Sequence, residues 1–483
     1  MKAEFLEEPE LEFGTGTHVD IRYGIRTFGP LDRGTTTAPR EIRVGLVGTA
    51  ETVEGVQRWL TTCRSGIAAK ATRLVNLFPP FPGFSEDSCF NSELAFHDRW
   101  IGRISERELS GLLSNVAPAE LPRESAETFV SYAERMLELG KVDVIVCAPP
   151  RELLAALDTY TTPPPDESES GLDESTEEED TEVWRPAFHD VLKASGMRLA
   201  VPLQMVRPPT YEGGKRSGGS GPLQDPATRA WNFHTALYYK AGGIPWRLQR
   251  SPSALSACYI GISFYRSADG DRLLTSVAQV FNERGEGVIV RGAPVQLDKS
   301  DRTPHLSSDD ARTLISNAIA TYRREHRTSP ARVVIHKTSK LNDAEIRGFS
   351  EAAKQGNIDI VDLVNVRRSF TRLFRMETQP PLRGTLLHLG RQMGLLYLRG
   401  SVSFFETYPG LYVPRPLEFE LARSDSTVFE VAGELLALSK LNWNNTQFDG
   451  GEPITVRAAR RVGDILKCIP TGGVVQPSFR FFM

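Results

Sequence analysis

Cysteine is scarce in this chain, and what there is does not pair up. Five cysteines, Cys63, Cys89, Cys147, Cys258 and Cys468, are scattered over 483 residues with no C-x-x-C among them. That spacing argues against a disulfide framework or a zinc site and predicts reduced thiols in a cytoplasmic protein. Long apolar runs are missing too: no stretch approaches the ~20 residues a membrane span needs. The opening MKAEFLEEPELEF is acidic and has no hydrophobic segment, so no secretory leader is expected. Two nucleotide-binding signatures are absent as well. The turn Gly45-Leu46-Val47-Gly48-Thr49-Ala50 has neither G-x-G-x-x-G nor the Gly-Lys-Ser/Thr of a phosphate-binding loop. An enzyme acting on a free nucleotide in this region is therefore disfavoured.

Charge is present in quantity but unevenly placed. The formal net charge is -4, yet Asp166 to Glu182 alone carries ten acids and no base. Without that run, 51 acidic residues face 57 basic ones, a body of +6. The run, within a loop over 163–183, reads as solvated and disordered. With 40% apolar residues the rest can bury sizeable cores, and the length suggests roughly two to four domains.

Periodicity divides the chain in two. Residues 1–40 have no sustained pattern and read as an extended arm with short strands. Glu41 to Val47 predicts a strand, followed by a helix from about Val53 to Cys63, the start of a doubly wound α/β domain. An amphipathic helix over Glu124 to Leu139, a buried strand Val142 to Cys147, a helix near Ala187–Ala194 and a strand Arg198–Met205 continue it. Gly213 to Gly221 reads as a flexible loop. The second half opens on the β-prone run Ala257 to Arg266. A hairpin (Leu273–Phe281 and Gly287–Gly292) comes next, then a helix capped by Ser307 with Asp310. Strand Arg332 to His336, a helix Asp343 to Lys354 and strand Ile358–Val366 follow. Strand, hairpin, helix, strand, helix, strand is the order of an RNase H-like sheet. A helix over Val456 to Lys467 and the tail Ser478 to Met483 end the chain.

At the junction of the halves, Ala230 to Leu248 reads AWNFHTALYYKAGGIPWRL. Helix-capable residues run to Lys240, where Ala241-Gly242-Gly243 stops them, since glycine reaches left-handed angles cheaply, and Pro245 closes off any continuation. A cation at a helix C-terminus is favoured by the helix dipole alone, so Lys240 by itself implies no ligand. Its company does. His189 and Lys193 lie four apart on one predicted helix and share a face, and Gln204 follows in a strand. An imidazole, two cations and an amide are what a terminal phosphate needs: charge-assisted hydrogen bonds, with the amide fixing orientation.

This ordered set, His189, Lys193, Gln204 and Lys240 before Gly242-Gly243, resembles the guide 5′-phosphate pocket of the MID domain of Argonaute proteins. The apolar end Phe481-Phe482-Met483 is similar to the family's C-terminus, whose carboxylate can help hold Mg2+ beside the guide phosphate; Met483 would supply it. The family's helper side chain one turn before the second lysine falls at Ala236, which cannot ligate. The second half resembles a PIWI domain. Ser263, in Tyr259 to Phe264, stands where slicing members carry their first catalytic Asp, and Thr338 stands in place of the second. Pro453 to Val462 contains no Asp or His, and Asp464 lies further along. Two-metal hydrolysis needs carboxylates to hold the ions, so the resemblance implies no slicing and no catalytic cofactor. The alternative is an active nuclease using displaced carboxylates such as Glu283, Glu286 or Asp464.

The resemblance covers about residues 40–483 and implies a Rossmann-like MID domain (41–248) followed by an RNase H-like PIWI domain (249–483), its tail returning to the MID pocket. It is to short prokaryotic Argonautes, built of MID and PIWI alone. For such a chain the implied partners are a guide RNA, a complementary DNA target and an APAZ-containing effector. A Sir2 NADase is favoured as effector over a TIR NADase or a nuclease, acting in defence against plasmids and phages, with no membrane involved. Arg323, Arg324, Arg327, Arg332, Arg367, Arg368, Arg372 and Arg375 are candidates for lining the duplex channel.

Overall fold

The structure, a computed structural model, describes residues 2–160, 185–213, 223–249, 255–267, 272–280, 287–297, 303–373, 380–410, 413–447, 450–470 and 472–483. The acidic run 163–183, the turn 282–285 with Glu283, and Glu286, Arg375 and all but Gly213 of the Gly213–Gly221 loop lie outside them. Among the described residues no helix is long and apolar enough to cross a membrane.

The first half is a parallel sheet ordered Glu93–Ala95, Glu41–Gly48, Val144–Ala148, Leu203–Met205, with Ile101–Arg103 also paired to Glu41–Gly48. Parallel strands covered on both faces need continuous apolar runs, and Glu41–Gly48 is buried along nearly its whole length. Val53, Val56 and Leu60 of helix Ala50–Arg64 share a core with Val44, Leu46, Val144 and Val146. Phe129, Val130, Ala133 and Met136 of helix Leu121–Glu138 pack with Val47, Ile145 and Cys147. Alternate residues of the same strands thus feed two cores, the doubly wound arrangement expected.

The second half is a ten-stranded sheet. Its central strands Ala257–Arg266, Arg332–Lys337 and Ile360–Arg368 are parallel. The hairpin Leu273–Val280 and Gly287–Leu297 extends it antiparallel on one side, and Leu417–Arg423 on the other. Helices Ser308–His326 and Asp343–Gln355 cover one face through Leu314, Ile315, Ile319, Phe349 and Ala352. Helix Ile454–Cys468 lies close against strand Ala257–Arg266: a Cβ on Gly261 would stand 2.0 Å from the Thr455 carbonyl oxygen. Only glycine admits that approach.

Three features depart from the sequence reading. Arg198–Met205 is not one strand: Met197–Leu199 is a 3-10 turn, Ala200 takes a left-handed φ of 53°, and only Leu203–Met205 pairs. The arm also contains a helix, Ile21–Phe28, capped by Asp20, whose carboxylate accepts from the amides of Arg22 and Tyr23. Eight residues are too few for a clear period, so the cap was its main signal. Finally, the arm is built into the body. Lys2–Phe5 pairs with Thr385–His388 in the second sheet, and Leu11–Glu12 pairs with Arg247–Leu248 at the joint.

Candidate functional site

Lys240 is the last residue of helix Pro226–Lys240, which Asp225 caps by accepting from the Thr228 amide. The helix ends in a paired turn: the Gly243 amide donates to Tyr238 O at 2.9 Å and the Gly242 amide to Tyr239 O at 3.0 Å. Gly242 sits at φ 102°, where a side chain would strain. The arm braces this turn. Asp32 is buried and accepts from Tyr238 Oη at 2.7 Å and from the Ile244 amide at 3.0 Å, and the Leu31 amide donates to Pro245 O. The tail reaches it as well, with an Arg480 guanidinium nitrogen 3.6 Å from where a Gly242 Cβ would lie. Phe482 and Met483 are buried in the same core as Tyr238 and Tyr239.

Lys240 is only 1% exposed and Lys193 2%. The Lys240 ammonium donates to Gln204 Oε1, and the Lys193 ammonium donates to Leu203 O. Gln204 gives its own Nε2 to Met205 O at 3.1 Å, which turns its oxygen toward Lys240. Among the described residues neither lysine has a carboxylate within ion-pair distance. Burial, only partly offset by the neighbouring Lys240, pulls Lys193 from 10.5 down to about 7. Burial and then the charge on Lys193 drive Lys240 well below its ordinary value. Two buried amines side by side, with no carboxylate within ion-pair distance among the described residues, are costly to charge. An anion seated between them would relieve both.

His189 opens helix Phe188–Gly196, one turn before Lys193. Burial and then Arg461 hold it neutral, with a pKa of about 3. Arg461 comes from helix Ile454–Cys468 in the second half and reaches both His189 Nδ1 and Asp190 Oδ1, the latter at 2.6 Å. The sequence reading missed Arg461 and Asp190. Arg461 belongs to a helix whose local pattern encodes only amphipathicity, and no spacing links it to residue 189. The structure therefore brings His189, Lys193, Gln204 and Lys240 together and adds Arg461. Ala236 offers only a methyl group, and no group of three or more His, Cys, Asp or Glu that could hold a metal occurs among the described residues. The carboxylate that does lie in this cluster, Asp190, is already engaged by Arg461 at 2.6 Å.

In the second sheet Ser263 lies on strand Ala257–Arg266 and Thr338 one residue past the end of the adjacent parallel strand Arg332–Lys337, the Thr338 amide donating to Ile262 O at 3.2 Å. Both are buried, and Thr338 Oγ1 has no hydrogen-bond partner among the described residues. Asp464 is not near them. Its exposed side chain turns toward Arg461, 4.0 Å away. The arginine set separates. Arg332 is buried between Asp362 at 2.5 Å and Glu434, so it is a structural ion pair and not a channel residue. Arg368 is largely enclosed beside Glu452 at 3.1 Å. Arg367 pairs with Glu418, Arg372 reaches the carbonyl oxygen of Phe370 at 3.1 Å, and Arg323 reaches that of Gly356 at 2.7 Å. Arg324, beside Glu325, and Arg327 are exposed at the end of helix Ser308–His326.

No protein-family model and no curated protein matches the chain. Solved structures do. Clostridium butyricum Argonaute bound to a guide DNA (5′ deoxycytidine) and a 19-mer target DNA matches with a TM-score of 0.63 at 15% identity, over 99% of this chain and 54% of that one. Drosophila Piwi matches with a TM-score of 0.63 at 13% identity, over 99% of this chain and 56% of that one. The chain spans about half the length of these structures. At such identity the likeness is one of fold, and the fold is Argonaute-like: a Rossmann-like MID unit followed by an RNase H-like PIWI unit.

Proposed function

We propose that this chain is a guide-directed nucleic-acid-binding subunit that takes the 5′-phosphate of a guide RNA in the pocket of His189, Lys193, Gln204 and Lys240. The observation that carries the reading is the pair of buried lysines with no carboxylate within ion-pair distance among the described residues. A phosphomonoester of charge about -1.5 to -2 supplies the missing anion and three acceptor oxygens. Lys193 and Lys240 neutralise it, Gln204 orients it, and neutral His189 donates one hydrogen bond from its ring. A complementary single-stranded DNA would then be recognised by base pairing, with the protein holding backbone and shape. The Argonaute-like fold supports this division of labour.

The same reading makes the PIWI unit a binding surface without slicing activity. Ser263 and Thr338 supply hydroxyls where two-metal hydrolysis needs carboxylates. Target recognition is then signalled to an associated APAZ-containing effector, with a Sir2 NADase favoured over a TIR NADase or a nuclease, in prokaryotic defence against plasmids and phages. Mg2+ beside the guide phosphate would add charge neutralisation through the Met483 carboxylate and nothing catalytic.

The test compares a short RNA bearing a 5′-phosphate with the same RNA bearing a 5′-hydroxyl, on the wild type and on Lys240→Ala. The expected result is at least a tenfold preference for the phosphate, lost in the variant. Equal affinities in the wild type would refute the guide-end reading. Separately, Mn2+- or Mg2+-dependent cleavage of a complementary strand would refute the non-slicing assignment.

A further inference from the structure

The pocket contains one carboxylate that the phosphate reading does not use. Asp190 follows His189 in the first turn of helix Phe188–Gly196, its side chain 13% exposed. Its Oδ1 lies 2.6 Å from an Arg461 nitrogen and 3.1 Å from His189 Nδ1. The same Arg461 nitrogen approaches His189 Nδ1. A ring nitrogen that accepts from Arg461 cannot also donate to Asp190, so the three atoms share one proton position too few. Arg461 is therefore held mainly by the Asp190 charge, with Asp464 4.0 Å away at the more exposed rim.

Resting on the guide-end reading above, we propose that Asp190 is a built-in competitor of the guide phosphate: it occupies Arg461 while the pocket is empty and yields it when a 5′-phosphate arrives. The chemistry favours the exchange. A phosphomonoester carries up to about twice the charge of a carboxylate and more acceptor oxygens, and it enters a pocket where Lys193 and Lys240 lie side by side and can take up protons to meet it. A 5′-hydroxyl end has no charge with which to displace Asp190. The exchange also has a mechanical consequence, because Asp190 belongs to the MID unit and Arg461 to the PIWI unit. Moving Arg461 from a protein carboxylate to the ligand replaces a direct tie between helices Phe188–Gly196 and Ile454–Cys468 with one that runs through the guide. The seam between the two units thereby senses whether the guide is loaded.

Two measurements test this. The first is binding of 5′-phosphorylated RNA to Asp190→Asn, which keeps the shape and removes the charge. The account expects affinity to rise about tenfold, with binding of the 5′-hydroxyl strand unchanged. An affinity equal to or below that of the wild type overturns the proposal and leaves Asp190 a structural partner. The second uses the wild type and does not depend on the variant folding: hydrogen exchange across residues 454–468 with 5′-phosphorylated or 5′-hydroxyl RNA bound at saturation. Exchange should change with the phosphorylated strand and not with the hydroxyl strand. Identical exchange with both overturns the seam mechanism even if phosphate preference is intact. Loss of phosphate preference in the wild type would instead be the failure of the guide-end reading.

Discussion

Two fully buried lysines, one in each half, show what separates a site from scaffolding. Lys337, in the PIWI unit, is paired with Glu345 at 3.1 Å and also donates to the Pro304 and Lys340 carbonyl oxygens. Lys240, in the MID unit, is as deep but donates to the neutral oxygen of Gln204 and faces the like charge of Lys193, with no carboxylate within ion-pair distance among the described residues. Arg332 between Asp362 and Glu434 repeats the first pattern. So does Lys440, which burial lowers to about 8 but which keeps Glu8 at 3.2 Å. Evolution can retain a matched buried pair for architecture alone. A buried lysine pair with no carboxylate in reach among the described residues is costly to charge in the empty protein, and groups perturbed in this way cluster at binding sites.

Exchanging each lysine for methionine gives the largest contrast. Lys240→Met should reduce binding of 5′-phosphorylated RNA about a hundredfold while leaving the guide-free protein at least as thermally stable as the wild type. Lys337→Met should do the reverse. It strands the Glu345 carboxylate and costs about 3–5 kcal/mol of folding stability, which denaturant melts would register. Equal destabilisation by both would break the comparison.

The next effect is in pH. Folded Lys193 has its pKa lowered from 10.5 to about 7, so between those values the unfolded chain holds more protons than the folded one. Stability of the guide-free protein should therefore rise as pH climbs through that window, the full penalty being present below pH 7. A bound phosphate restores the ammonium, so guide binding at pH 8 should take up protons. Calorimetry in buffers of different ionisation enthalpy measures that uptake, and zero uptake would contradict the account.

The smallest effect sharpens the arginine assignment. Arg327→Ala should lower the salt dependence of guide–target binding by about one unit of log–log slope if that exposed side chain meets a phosphate. Arg332→Met should lose stability and leave the salt slope unchanged.

The sequence made single elements legible but not the contacts between distant ones. His189 and Lys193 were readable because helical spacing puts i and i+4 on one face, and Lys240 because a Gly-Gly stop ends its helix. The parallel strands were readable as apolar runs. Arg461 and Asp190 were not, since their meeting depends on how two distant helices cross. Asp32 was equally hidden: an acid in a Gly-rich arm has no periodicity to betray that Tyr238 and Ile244 will claim it. The set of arginines shows the opposite error. Basic residues near one another in sequence suggested one surface, yet strand alternation and carboxylates on neighbouring elements sent Arg332 and Arg368 inward.

The central claim, that Lys193 and Lys240 are a cation pair awaiting an anion, is tested most directly by following the two side chains as they titrate. In protein carrying 13C at the lysine Cε, the account predicts that Lys193 titrates near 7 in the guide-free state. Both lysines should then stay protonated past pH 9 once a 5′-phosphorylated RNA is bound. Ordinary titration of both lysines in the free protein, unchanged by the phosphorylated strand, would contradict it.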